Sequence, residues 1–410
     1  MEKLDVYLLM VSRILRSLVA GFLAVVIGLY FLKIGLTDVE IGVLFGIGAF
    51  ATPLLSLIFS IYADRYSKKM FLLMTLAFLP ISIIILLTTR NFALLALSSA
   101  LGGFGIAGGL VGGGVGAIVA PIQTAILAEK SKKDELTKVY SIFTTLSTYS
   151  GAFGALFANI SDYTELFMIG LVLSLASFLV AIPIREEKSK KLNEETIVDN
   201  KKKEDLATIK KKDLDIIKKF TYTGMFNGIS QGLIIPFIPI IFEQFYGLTQ
   251  AQIGDIVFIG GIVSASIIWL TPIMNEKLGF VRFIIYTRLV STILTLAFPF
   301  LRLPLLASID YIVFTSFRVF ALPAQQALMM TLVSGRRRAT ASGTNQTARL
   351  LPSALSTLLS GFLLSVSVIF PFALAFVTNM TNLYLYYRFF WNVPEARERK
   401  KISARIGSEG

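Results

Sequence analysis

Twelve stretches of this chain are each long and apolar enough to cross the hydrocarbon layer of a membrane as a helix. A spanning helix needs about 20 apolar residues. The runs fall at 6–32, 38–62, 69–89, 95–128, 137–160, 163–184, 219–244, 250–273, 281–301, 304–333, 340–365 and 368–389. So much apolar surface leaves little choice of fold. A water-soluble core could not hide it, and only helices or closed barrels satisfy the backbone inside lipid. Of the 410 residues, 55% are hydrophobic and 16% are charged, against about 25% charged in an average soluble domain. The expected fold class is therefore an all-α membrane protein with twelve transmembrane helices. A soluble enzyme is excluded.

The remaining charges give a direction. Of the 39 Lys and Arg residues, 31 fall at the N-terminus, in alternate loops and from Arg388 onward, whereas the intervening loops hold only Lys33, Arg90 and Arg302. Cytoplasmic loops retain Lys and Arg, so a multi-pass cell-membrane protein with both termini cytoplasmic is expected. The first run contains Arg13 and Arg16 and no small-residue cleavage site, and is read as a retained helix. The net charge of +13 is that of such loops, and no nucleic-acid partner is expected. The chain has no Cys and no His, which removes disulfides, His-based triads and the usual zinc, haem and iron–sulfur ligands. There is no G-x-x-x-x-G-K-[ST] run, hence no phosphate loop. No cofactor and no metal are expected.

The organisation is duplicated. With an offset of 212, LTDVEIGVLFGIG from Leu36 meets LTQAQIGDIVFIG from Leu248, and the register holds to Asp64-Arg65 opposite Glu276-Lys277. Further on, PIQTA at 121–125 meets PAQQA at 323–327 with an offset of 202, so the first half carries ten extra residues. The expected domains are a six-helix bundle at 1–185, a charged linker at 186–218, a second six-helix bundle at 219–390 and a basic tail at 391–410. Within the linker, Leu206, Ile209, Ile216, Ile217 and Phe220 recur at near-helical spacing. They read equally as an amphipathic helix on the inner leaflet or as a solvated one. The ten extra residues lie in the oddest segment. Asn91 to Ala128 carries no charge, and 102–116 (GGFGIAGGLVGGGVG) holds nine glycines. As one helix this stretch would reach about 57 Å, too long for a bilayer. The glycines read either as a break beside a substrate path or as tight packing of small residues. Gly103-x-Gly105-x-x-Gly108 matches a dinucleotide fingerprint, but no strand precedes it.

Between the second and third runs stands SIYADRYSKK, residues 60–69. It resembles the G-x-x-x-D-R-x-G-R-R signature of the major facilitator superfamily, with Ser60 and Ser67 where the signature has glycine. The LT-x-x-x-IG preceding it, the twelve runs, the central linker and the repeat agree with that family. The resemblance implies two pseudo-symmetric six-helix bundles that rock about a midplane site. It also implies a conformational latch of Asp64, Arg65, Lys68 and Glu129. In it Asp64 would meet the N-terminus of the eleventh helix near 339–342, and Lys68 would meet Glu129. The antiporter run G-P-x-x-G-G is absent, the fifth helix having Ser150-Gly151 and Gly154, and no Arg occupies the fourth helix.

Charges inside a span cost about 2.5–3.5 kcal/mol each and face a partner or a wet cavity. Arg16, Arg318 and Arg349 fall near midplane depth. Arg13 and Arg288 lie nearer basic loops, where they either snorkel or pair. Glu243 is near an outer end. The family's cavity helices are the first, fourth, seventh and tenth. That makes Arg16, Gln123, Asn227, Gln231, Asp310, Arg318 and Gln325 expected wall residues, with Arg349 either reaching in from the eleventh or pairing with an acid. Each of these reads alternatively as an interhelical hydrogen bond. Asn227 and Gln231 share a helix face. Asp310 and Asp255 are the proton-coupling candidates. Three mid-depth arginines fit an organic anion.

The expected function is secondary active transport of a small solute by alternating access, proton-coupled, by a monomer in the lipid bilayer. A lipophilic-compound exporter of the same fold is the alternative. A membrane enzyme or a non-transporting receptor is the rival of another class.

Overall fold

The computed structural model describes residues 2–105, 116–130, 136–185, 200–333 and 338–393, and the described residues form helices and short turns with no strand. Fifteen α-helices make up twelve rods. The first three rods are α1 (Glu2–Lys33), α2 (Asp38–Arg65) and α3 (Lys68–Thr88). The fourth is split into α4 (Phe92–Gly102) and α5 (Ala120–Glu129). The fifth and sixth are α6 (Leu136–Ala155) and α7 (Tyr163–Ala181). The seventh joins α8 (Asn200–Ile234) to α9 (Ile238–Tyr246), and the eighth joins α10 (Gln250–Ile268) to α11 (Thr271–Leu278). The last four are α12 (Phe280–Ala297), α13 (Pro304–Leu332), α14 (Arg338–Val366) and α15 (Ile369–Phe390). Among the described residues, nine helical segments meet the length and hydropathy of a membrane span, and two shorter apolar helices belong to the fourth rod.

Local chemistry sets the boundaries. Thr37 accepts from the Glu40 backbone N–H while the Glu40 carboxylate accepts from Thr37, closing a capping box at the start of α2. Thr249 and Gln252 build the same box on α10. The repeated LT-x-x-x-IG is thus a helix-start signal. Prolines break the seventh and eighth rods. Pro236 lies in the 3-10 turn between α8 and α9, Pro239 opens α9, and Pro272 opens α11. In the fourth rod, Gly103 (φ 68°) takes the left-handed conformation that ends α4. Gly116 (φ 74°) precedes α5 and donates its N–H to the Gly102 carbonyl at 2.7 Å. The chain therefore leaves the rod and returns to the same point. Residues 106–115, most of the glycine-rich run, lie outside the described residues.

The linker differs from expectation. α8 starts at Asn200 and runs unbroken into the seventh rod. Ile216, Ile217 and Phe220 are buried against Phe280, Phe283 and Tyr386, so this part of the linker packs on protein rather than on a leaflet. The side chains of Leu206 and Ile209 lie outside the described residues.

One end of the bundle carries Lys68, Lys130, Arg185 and Lys277, and is here termed the basic end; the opposite end carries Lys33, Arg90 and Arg302. The apolar core is divided unequally between them. Towards the opposite end a single cluster spans both halves, from Phe22, Phe45 and Phe167 to Phe237, Phe242 and Phe298. Towards the basic end there are two separate clusters. One is wholly N-terminal (Leu9, Phe71, Leu72, Val119, Phe143) and one wholly C-terminal (Phe220, Phe283, Phe320, Leu328, Tyr386). The outer surface exposes Val172, Leu179, Leu305 and Phe362, each over half accessible, as a lipid-facing wall requires.

Candidate functional site

The two halves meet in two seams near the opposite end. In the first, α2 crosses α14. A Cβ placed on Gly42 would lie 2.8 Å from Gly361 Cα, and one on Gly361 would lie 2.6 Å from the Asp38 carbonyl oxygen. In the second, α10 crosses α6, and a Cβ on Gly254 would lie 2.7 Å from the Ala155 carbonyl oxygen. Gly42 and Gly254 are the same position in the two repeats. Polar bonds rim the seams. Gln250 Nε2 donates to the Ala158 and Ile160 carbonyls at 2.9 Å, Gln244 Nε2 to Asp38 Oδ1 at 3.1 Å, and Asn159 Nδ2 to Asp255 Oδ1 at 3.3 Å. A shallow recess of about 450 Å³ lies outside them, lined by Lys33, Tyr163, Glu243 and Gln250. Asp255 is thus an exposed residue of the junction, not a buried one.

Towards the basic end the same helices stand apart. A cavity of about 280 Å³ separates Thr52, Ser56, Leu57 and Ser60 of α2 from Gly343, Gln346, Thr347 and Arg349 of α14, with Ala120 and Pro121 of α5 as a third wall. Arg349 is half-buried there and Gln346 and Thr347 are exposed.

The mid-depth arginines divide into two groups. Arg16 is 4% exposed and points into the N-terminal bundle, among Thr75, Leu79 and Ser174 of α3 and α7. Its guanidinium donates to the Gly116 carbonyl and, at 3.4 Å, to Gln123 Oε1. Arg16 therefore clamps the stem of the broken fourth rod. Arg13 does not snorkel; it donates to Ser147 Oγ at 2.8 Å and lies over the Phe143 ring. Arg288 is likewise buried, donating to Asn382 Oδ1 and, at 2.5 Å, to Gln325 Oε1, under the Tyr386 ring. Gln123 and Gln325 are the same position in the two repeats, so each half braces one buried arginine with its repeated glutamine. The arginines come from different helices, α1 in one half and α12 in the other.

Arg318 is half-buried on α13 and interacts electrostatically with Arg349 and Arg288; Arg349 interacts with Arg288. Among the described residues no carboxylate forms an ion pair with any of the three. The structure thus brings Arg318, Arg349 and Arg288 together in the C-terminal half and sets Arg16 apart. Reading Arg288 as either snorkelling or paired missed its membership of this group.

Asn227 and Gln231 are buried on α8, where Gln231 Nε2 donates to Asn227 Oδ1 at 3.2 Å and Asn227 Nδ2 has no partner. Asp310 is 7% exposed near the opposite end, its Oδ2 has no partner, and Tyr246 of α9 lies within electrostatic range. Of the latch residues, Lys68 pairs with Glu129. Arg65 is exposed and lies over the Tyr66 ring. The Asp64 side chain lies outside the described residues. A second pair went unnoticed in the sequence: Lys130 Nζ is 3.1 Å from Asp5 Oδ2, with both side chains buried.

Solved structures that superpose on this chain include those of transporters. The chain is 21% identical over 392 residues to the quinolone resistance protein NorA of Staphylococcus aureus, covering 92% of this chain and 95% of NorA. The crystal structure of a point mutant of the nucleoside transporter NupG superposes with a TM-score of 0.74 at 14% identity, over 94% of this chain and 100% of that one. A bacterial homologue of the lysosomal transporter Spinster, in an inward-facing and unoccupied conformation, superposes with a TM-score of 0.73 at 14% identity, over 94% and 96% of the two chains. The family model of the Major Facilitator Superfamily matches residues 9–357. Twelve rods in two related bundles, with this match across most of the chain, establish that the protein belongs to the Major Facilitator Superfamily of membrane transporters.

Proposed function

We propose that this transporter carries a small organic solute across the plasma membrane by alternating access, driven by a proton gradient. The observation that carries this reading is the unequal core: one apolar cluster joins the halves at the opposite end, and two separate clusters leave them apart at the basic end. A carrier held shut on one side and parted on the other is half of an alternating cycle. With the basic end assigned to the cytoplasm by its Lys and Arg content, this form faces inward. The Lys68–Glu129 pair, with Arg65 and Asp64 beside it, would then contribute to the latch of the reverse, outward-facing form. Arg318, Arg349, Asn227 and Gln231 line or flank the path, while Arg16 and Gln123 hold the N-terminal wall. Asp310, with an unpartnered oxygen near the closed end, is the leading proton carrier, and Asp255 at the seam is the second.

Counterflow in proteoliposomes tests the carrier. Preloaded unlabelled solute should drive transient accumulation of label, and an applied pH gradient should drive uptake or efflux. Asp310→Asn should abolish gradient-driven transport while leaving counterflow intact. A rate that is linear in solute concentration and shows no counterflow, for solutes that cross, would make the protein a pore. Similarity to NorA over 92% of the chain favours a second reading, export of lipophilic compounds. Expression in a drug-sensitive host separates the two: an exporter raises tolerance to quinolones and lowers their accumulation.

A further inference from the structure

Three guanidinium groups on adjacent helices, with no carboxylate paired to them among the described residues, are an unbalanced charge at membrane depth. Arg288 is buried and donates from its two terminal nitrogens to Asn382 and Gln325. Arg318 and Arg349 are half-buried. Arg349 stands on the wall of the cavity between α2 and α14, beside the exposed Gln346 and Thr347. Across that cavity Pro53 and Leu57 of α2 face Leu350 of α14, an apolar slot leading away from the charge.

We infer that Arg349 on the cavity wall, with Arg318 and Arg288 within electrostatic range behind it, forms an oxyanion site on the C-terminal half for a small organic anion whose apolar body lies along Pro53, Leu57 and Leu350. The fork of a guanidinium matches a carboxylate or a phosphate ester with two parallel hydrogen bonds. Gln346 and Thr347 supply further donors. The N-terminal half contributes no cation here, because Arg16 faces the interior of its own bundle. The anion is therefore held by one half, and the other half closes over its apolar side. This deepens the carrier reading and rests on it only for the solute's passage, since binding is a separate measurement.

The test is calorimetric binding to the purified full-length protein, using benzoate and phenyl phosphate as probe anions and benzamide and benzyl alcohol as neutral matches. Binding of at least one anion, with neither neutral match binding comparably, is expected. Comparing benzoate with phenyl phosphate tells carboxylate from phosphate ester. Arg349→Gln should weaken binding by about tenfold or more, the loss expected for one charge-assisted hydrogen bond. Arg349→Lys should recover only part of it. Ser56→Asp, on the facing wall, leaves every arginine in place and should weaken binding as strongly by occupying the site with a carboxylate, which decides the matter if Arg349→Gln does not fold. Equal binding of charged and neutral probes, no anion binding at millimolar concentration, or unchanged affinity in Ser56→Asp would overturn the site. Anion binding without counterflow would leave the site and remove the carrier; counterflow of neutral solutes alone would do the reverse.

Discussion

Replacing Gly42 by valine should open the end of the molecule that is shut here. A Cβ at that position would sit 2.8 Å from Gly361 Cα and 3.2 Å from Gly361 N. Carbon atoms rest at about 3.5–4.0 Å, so α2 and α14 must part by roughly 1 Å at their crossing. The obstructing atoms are backbone, so no side chain can swing aside. Overpacking of this kind costs about 1–3 kcal/mol. The cost falls only on the form in which the seam is closed. At about 1.4 kcal/mol per factor of ten, the balance between the two forms should move by roughly 5- to 150-fold. Gly254→Val should do the same at the α10–α6 seam, where the obstructions are the Ala155 carbonyl oxygen and Ala158 Cβ, both at 2.7 Å. The native chain has no Cys, so Arg90→Cys and Arg302→Cys introduce the only two sites for spin labels. Both positions are exposed, one on each half at the shut end. Pulsed dipolar spectroscopy should show one short distance in the parent and a growing longer one in Gly42→Val and Gly254→Val. A distance distribution unchanged in folded protein of both variants would refute the argument that these glycines set the closure.

Two further outcomes concern stability. Gln325→Leu should destabilise the protein by about 1.5–3 kcal/mol, because it removes the acceptor of a bond to a buried guanidinium at 2.5 Å; Gln123→Leu, whose bond is 3.4 Å, should cost visibly less in a thermal melt. Glu129→Gln breaks the Lys68 pair, whose side chains are 20% and 31% accessible, and should lower unfolding free energy by under about 1 kcal/mol; a larger loss in a denaturation curve would mean the pair does more than tie two turns.

The twelve rods were legible because spanning lipid demands long apolar runs, and such runs have few other uses. The repeat was equally plain, down to the pairing of Gln123 with Gln325 and to the ten extra residues of the first half. Those ten match in number the stretch 106–115 between the left-handed glycines Gly105 and Gly116. What stayed hidden was direction around each rod. A helix apolar on all sides has no stripe to mark its inner face, so Arg16, Arg318 and Arg349 looked alike at similar depths. Structure turns Arg16 into its own bundle, draws Arg288 onto Asn382, and leaves Arg318 near Arg349. Neighbouring rods decide this, and no spacing within one run encodes it. The LT-x-x-x-IG repeats were visible as a pattern, but their glycines acquire meaning only once α14 and α6 lie across them.

The bond from the Gly116 N–H to the Gly102 carbonyl ties off the fourth rod like a stitch at the neck of a pouch. Whatever is sewn in beyond the stitch, the fabric on either side keeps its alignment, and the cost of lengthening a closed loop grows only slowly with its length. A duplicated protein can thus let one copy lengthen while its twin stays short, and still fit the two together.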